Sequence, residues 1–298
     1  MLTVATWNLE NLFRPAADAG AARQQVYEDK LDGLAAAING LAPDVLAVQE
    51  VGDPAALEDL RGRLVGDWHV ELSPDADRRG IRVGFLSRLP LSDVERVRAF
   101  PAGTAPVQLN DDGATTTQMG CGALRVRVSV GTTAVDLVTC HLKSKLLSYP
   151  GNRFNPRDEG ERARYAGYAL ALRAAEAITL RHYATGLLDG QGQQRAVIVL
   201  GDLNDEPLAA TTQILLGPPG SEIGTRGFDR DDAGDAERLW NVAPRILPEE
   251  RRFSRVFNGR PELIDHILVS HALVHDVEAV TTGTADLPSV TTDPDERR

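Results

Sequence analysis

The segment that constrains this chain most is Val197-Ile198-Val199-Leu200-Gly201-Asp202-Leu203-Asn204-Asp205-Glu206-Pro207. Four apolar, mostly β-branched residues run into a glycine, and an acid and an amide follow two positions apart. The run is too short for a helix and too apolar for an exposed hairpin, so it reads as a buried strand. In an extended chain, residues i and i+2 share a side. That predicts that Asp202 and Asn204 look the same way out of the strand's end. Such a pair can orient a water or hold a phosphate oxygen. Asp, Asn and Pro are also ordinary turn residues, so this stretch alone leaves both readings open.

Other segments repeat the layout of a buried strand that stops at polar residues. They are Thr6-Trp7-Asn8, Val48-Gln49-Glu50, Thr139-Cys140-His141-Leu142-Lys143 and Leu263-Ile264-Asp265-His266-Ile267-Leu268. Helical patterns alternate with them. Gln24 to Leu41 puts Val26, Leu31, Leu34, Ala35 and Ile38 largely on one stripe. Asp53-Pro54 has the form of an N-cap and first turn, with Leu57, Leu60 and Leu64 behind it. Arg157 to Leu188 is the longest helical pattern, and Arg82 to Leu86 is a further strand.

Residues 101–120 read as loop. Leu124 to Val130 and Val135 to Leu142 predict a hairpin around Gly131-Thr132. Asn258-Gly259 predicts another between Phe253–Phe257 and Leu263–Val269. Residues 217–235, rich in Gly, Pro and Asp, read as a mobile surface excursion. Alternating strands and helices with some hairpins predict an α/β layered fold, with a mixed sheet or two packed sheets. No linker divides the 298 residues, so one domain over 1–298 is expected.

Composition narrows the chemistry. A net charge of −11 does not mark an obvious binder of long nucleic-acid tracts, which need clustered cations, and it fits a carboxylate site that recruits a divalent cation, but fields are local and the global figure decides neither point. Cys121 and Cys140, the only cysteines, form no CxxC pair, and the six histidines form no HExxH, which argues against zinc. Two reduced thiols are expected, with a single disulfide as the alternative. No apolar run approaches the roughly 20 residues that span a bilayer, and no leader pattern opens the sequence. A cytoplasmic protein with no membrane and no protein partner is the expectation.

Each polar strand end has a plain structural explanation when taken singly. Asn8 could cap a turn, Glu50 could sit in a surface ion pair, His141 could be a satisfied core histidine, and Asp265 could pair with an arginine. Together they offer carboxylates for a hard cation, amides and a histidine. That set suits metal-assisted attack of water on phosphorus. A phosphodiester is shielded by its own negative charge, so a metal and a cationic group help most at the transition-state oxygens. Lys143, two residues past His141, is a phosphate contact if the strand continues, and a surface lysine otherwise.

The motifs TWNLENL, PDVLAVQEV, GIRVGFLSRLPL, CHLKS, VIVLGDLNDEP and ELIDHILVS, in that order from about Thr3 to Ser270, resemble the endonuclease/exonuclease/phosphatase superfamily, deoxyribonuclease I among its relatives. The resemblance implies a four-layer α/β/β/α sandwich, with two packed mixed sheets flanked by helices. It also implies a divalent ion, Mg2+ or Mn2+. Glu50 would be the principal metal ligand, and Asn8 would help hold the ion or a phosphate oxygen. His141 would sit on the scissile phosphate. Asp202 and Asn204 would orient water and a phosphate oxygen, and Asp265 would belong to the polar network behind a histidine. His266 alternates away from Asp265 and reads as structural.

The substrate class implied is a phosphate ester, DNA or RNA among the candidates. A nuclease needs a basic rim, for which Arg78, Arg79, Arg82, Lys143, Lys145, Arg153 and Arg157 are available. One departure stands out. The family's closing serine-aspartate-histidine stretch is not found, since Ala285-Asp286-Leu287-Pro288 has an acid without a histidine. A truncated chain, or a member that binds a phosphate ligand without turnover, is therefore the alternative to an active phosphodiesterase, and a small-molecule phosphatase is a third reading.

Overall fold

The computed structural model describes residues 1–151, 153–283 and 289–290. In chain order its elements begin with β1 (Val4–Leu12), α1 (Ala21–Leu41), β2 (Val45–Val51), α2 (Pro54–Arg61), β3 (His69–Leu72), β4 (Arg82–Ser87) and β5 (Ser92–Ala99). A short pair, β6 (Val107–Gln108) and β7 (Thr115–Thr116), leads to β8 (Gln118–Val130), β9 (Thr133–His141) and α3 (Glu159–Leu188). Then come β10 (Ala196–Asp202), α4 (Ala210–Leu216), β11 (Leu239–Asn241), β12 (Arg255–Phe257), β13 (Arg260–Glu262), β14 (Asp265–Ser270) and α5 (His271–Val274). The two larger sheets run β1-β2-β4-β3 and β11-β14-β10-β9-β8-β5. The expected α/β class with two large sheets and helices is what the chain has.

Two compact units form. The first is Met1–Arg98 with Gly120–His141 and Leu200–Asp202; the second is Ala99–Met119 with Leu142–Val199 and Leu203–Arg298. In the first, β2 is buried on both faces, as its unbroken apolar run requires. Leu46 and Val48 join a core with Leu31, Leu34, Ile38, Leu57 and Leu60 of the helices. Val45, Ala47 and Gln49 alternate with them and are fully buried. Gln49 reaches across to the second sheet, donating Nε2 to Thr139 Oγ1 at 3.0 Å. The buried helix stripe is Tyr27, Leu31, Leu34, Ala35 and Ile38. Val26, expected on it, is 61% exposed. Tyr27 continues the i, i+4, i+7 spacing to Leu31 and Leu34, and Val26 falls off it.

Asp53 caps α2 as predicted, its side chain accepting from Ala55 N. The β8–β9 hairpin turns at Gly131 and Thr132, with Val130 opposite Thr133, but β8 starts at Gln118 and part of the expected loop is strand.

In the second unit, Asp158 caps α3 through Glu161 N. Asn258-Gly259 makes a hairpin, with a corrected partner. Arg255–Phe257 pairs with Arg260–Glu262, while Asp265–Ser270 pairs with β11. Proline at 261 sits where a short strand can drop a donor, and the apolar run after it enters a different sheet. Both ends of the stretch 217–235 meet one buried side chain. The buried Arg238 donates to Pro218 O, Pro219 O, Asp232 and Asp235. It holds the Asp232 carboxyl at about 2.

Gly201 is the tightest point of the first unit. Its φ is +145°, and an added Cβ would stand 2.1 Å from Cys140 O. Backbone rather than a movable side chain blocks the space. Gly201→Ala is expected to cost about 3–5 kcal/mol, at the upper end for single substitutions, measured as the shift in urea unfolding against wild type.

Candidate active site

Strand alternation brings the first residues inward. Thr6 bonds the Gln49 side chain, and Asn8, two residues on, shares its side of β1. Thr139 meets Gln49, so His141 follows on the same face of β9. Glu50 breaks this pattern. Alternation from Leu46 and Val48 would send it into the helix-side core. Its φ is +58°, and between Val48 and Val51 the β2 strand carries one residue more than β4, from Gly84 to Arg82. Such a bulge re-aims a side chain. The neighbouring strand has a larger irregularity, from Asn8 to Leu12 against Gln49 to Val51, with Glu10 and Asn11 at φ +52° and +56°. Left-handed backbone at three non-glycine residues is costly and persists only where the surroundings over-determine it.

The result is a cluster in the first unit. Asn11 N donates to Glu50 Oε2 at 2.9 Å, and Glu50 Oε1 stands 3.7 Å from His141 Nε2. Asp202 Oδ2 lies 3.8 Å from the same Nε2 and accepts from Asn8 Nδ2 at 2.9 Å. Asn8 Oδ1 accepts from Glu10 N at 2.8 Å. His141 and Asp202 are buried, and the Glu50 side chain is 13% exposed. Cys121 Sγ is 3.9 Å from His141 Nδ1. Both cysteines are buried and neither is in a disulfide. Lys30 Nζ donates to Glu10 O at 2.6 Å, closing the kinked segment. Burial holds its ammonium below the usual lysine range, while Glu10 and Glu50 pull the other way.

Of the other predicted residues in this unit, Arg82 Nη1 is tied to Gly52 O and Gly80 O. Arg79 is half-exposed and lies 3.8 Å from Glu50 Oε1. Arg78 is exposed.

The remaining predicted residues belong to the second unit. Asn204 has φ +52° and donates Nδ2 to Leu142 O. The i, i+2 premise for pairing it with Asp202 therefore does not apply, since the chain is no longer extended there. Lys143 lies beyond the end of β9, and its Nζ turns back to Ser144 O and Leu146 O. The premise of a continuing strand fails. Asp265 N is bonded by Ser254 Oγ. His266 is buried between Asn241 and Asp205 O, as a structural histidine should be. Lys145 pairs with Asp205 and Arg153 with Glu161; Arg157 is exposed. Asp286 lies outside the described residues.

The model of the Endonuclease/Exonuclease/phosphatase family matches residues 5–289. This chain belongs to that family. No curated protein matches it. Among solved structures, a humanized TDP2 of D. rerio is 16% identical, with 96% of this chain and 85% of that one covered and a TM-score of 0.53. D. rerio TDP2 complexed with a single-strand DNA product gives 16%, 96%, 86% and 0.51. A mannosyl-6-phosphatase from Bacteroides thetaiotaomicron gives 16%, 91%, 85% and 0.52. At these identities the likeness shows the fold. No helix among the described residues is long and apolar enough to cross a membrane.

Sequence reasoning about this family member missed two things. The first is a second group of ligand-type atoms, on Asp231, Asp235 and His271, within 4.8 Å of one another. Arg238 already answers the charge of Asp235, and no local spacing links residues so far apart in sequence. The second is Asp205, beside Asn204. It takes bonds from Thr211 and Arg173 and an ion pair from Lys145. Burial pushes its carboxyl up, but these partners outweigh burial and hold it below the usual range. A depressed folded-state value gives stability that is present above the unfolded carboxylate value and lost as pH falls through the folded one. Asp205→Ala is expected to cost about 3 kcal/mol near neutral pH, because it leaves Arg173 buried without its acid. The difference from wild type should shrink below about pH 4, read from denaturation midpoints across pH.

Proposed function

We propose that this chain is a divalent-metal-dependent phosphoric ester hydrolase, acting as a nuclease or phosphodiesterase. The observation that carries the reading is the convergence of Glu50, His141, Asp202 and Asn8, achieved at the cost of left-handed backbone at Glu50. Membership of a family of phosphoester hydrolases supports it. So does the donor chemistry. A carboxylate and an amide oxygen beside a second carboxylate suit a hard divalent cation such as Mg2+ or Mn2+. Glu50 would hold that ion, with Asn8 assisting. When bound, the ion supplies Lewis-acid relief of negative charge on the phosphate.

The chain's own groups do the rest. His141 Nε2 faces two carboxylate oxygens, Glu50 Oε1 at 3.7 Å and Asp202 Oδ2 at 3.8 Å. From that nitrogen it donates to a phosphate oxygen or to the departing ester oxygen. Asp202 orients the attacking water and is itself fixed by the amide of Asn8. Positioned proton transfer of this type is worth about 10²–10⁴-fold.

The test is Mg2+-dependent release of nitrophenol from bis-(4-nitrophenyl) phosphate. His141→Ala should lower kcat by about 10³-fold. EDTA should abolish release, and added Mg2+ should restore it. Equal rates for wild type and His141→Ala would overturn the proposal. If the diester is hydrolysed but neither plasmid DNA nor RNA is cut, the nuclease assignment falls and a narrower phosphodiesterase stands.

A further inference from the structure

Phe13 follows β1 and is 41% exposed, yet its seat is closely built. A Cβ added at Gly52 would stand 2.3 Å from its Cδ1 and Cε1 and 2.5 Å from its Cγ. The ring therefore rests directly on the Gly52 backbone. Gly52 does not occupy the left-handed region that favours glycine, so the ring, not the chain's conformation, accounts for the missing side chain. Gly80 forms a second contact, where an added Cβ would be 3.8 Å from Cε1. Arg82 binds the carbonyls of Gly52 and Gly80 at 2.9 and 2.7 Å, fixing the two together.

This seat adjoins the metal-type carboxylate by three short routes. Gly52 is two residues from Glu50. Phe13 N donates to the carbonyl of Asn11, whose own N–H holds Glu50 Oε2. Arg79, next to Gly80, lies 3.8 Å from Glu50 Oε1. An aromatic ring that packs against backbone and still exposes 41% of its residue surface has area left on which a planar group can stack.

We propose that Phe13 is a stacking platform for a planar aromatic group carried by the phosphate ester, and so a specificity-determining residue of the site. The location rests on the phosphoesterase reading. The chemistry required, a flat ring attached to a phosphate, comes either from a nucleobase or from an aryl ester.

Calorimetric binding of methyl phosphate, 4-nitrophenyl phosphate and thymidine monophosphate, each with Mg2+, tests it. At least one aromatic phosphate should bind about tenfold more tightly than methyl phosphate, the size expected for one stacked ring. Phe13→Leu keeps an apolar side chain on the glycines and should remove most of that ratio, whereas Phe13→Trp should retain it. Preference for the thymidine ligand assigns the platform to a nucleobase, and preference for the nitrophenyl ligand assigns it to an aryl ester. Equal wild-type affinities for all three, or a ratio untouched by Phe13→Leu, would overturn the proposal. Because the readout is binding, selectivity without turnover would defeat the hydrolase reading and leave the platform standing. Turnover without selectivity would do the reverse.

Discussion

Everything in the first unit's polar cluster depends on extra residues at the ends of two adjacent strands. A regular β2 would bury the Glu50 carboxylate in an apolar helix-side core, where its charge would go unanswered. The bulge turns it toward His141 instead, and the longer irregularity in β1 brings the Asn11 amide to meet it. Neither distortion works without the other. The strand that carries Glu50 needs a donor at its end, and the strand that carries Asn8 supplies one only by looping out at Glu10 and Asn11. Lys30 then ties that loop to α1 through the Glu10 carbonyl.

A second constraint comes from between the sheets. Gln49 is fully buried, and its amide is shared between Thr6 and Thr139. Hydrogen-bonded amides in a core are tolerated when their groups are met, and they fix one register over its neighbours. Here the register matters chemically. Thr6 and Thr139 lie two residues before Asn8 and His141, so the amide that locks the threonines also sets the height at which the next inward residues emerge. Slippage of either strand by one position would exchange Asn8 or His141 for an outward neighbour.

How much of this could be read beforehand follows the physics of each feature. The buried strands, the Asp53 cap, the Gly131-Thr132 turn and the structural role of His266 were legible because alternation, capping and turn chemistry are local. The grouping of Asn8, Glu50, His141 and Asp202 was legible through the order of motifs, not through periodicity, which would have misdirected Glu50. What stayed hidden were departures from regular backbone. Strand periodicity does not carry to Asn204 and Lys143, because one sits at positive φ and the other lies past a strand's end. The bonds at the ends of 217–235 are not visible locally, because Arg238, which makes them, is a single buried side chain outside the stretch. The partner of the Asn258-Gly259 turn is the short Arg260–Glu262 strand, because the stronger apolar run after it belongs to another sheet.

The left-handed geometry at position 50 has a further implication. The residue that would suit this backbone best is glycine, which adopts such torsions freely, whereas the residue present is a branched-free acid held there by its surroundings. On torsional grounds alone the position favours glycine, and a glycine there would remove the carboxylate that meets Asn11 N and faces His141. Backbone ease and the polar cluster thus pull one codon in opposite directions, so a replacement that relaxes the chain at this position also dismantles the cluster.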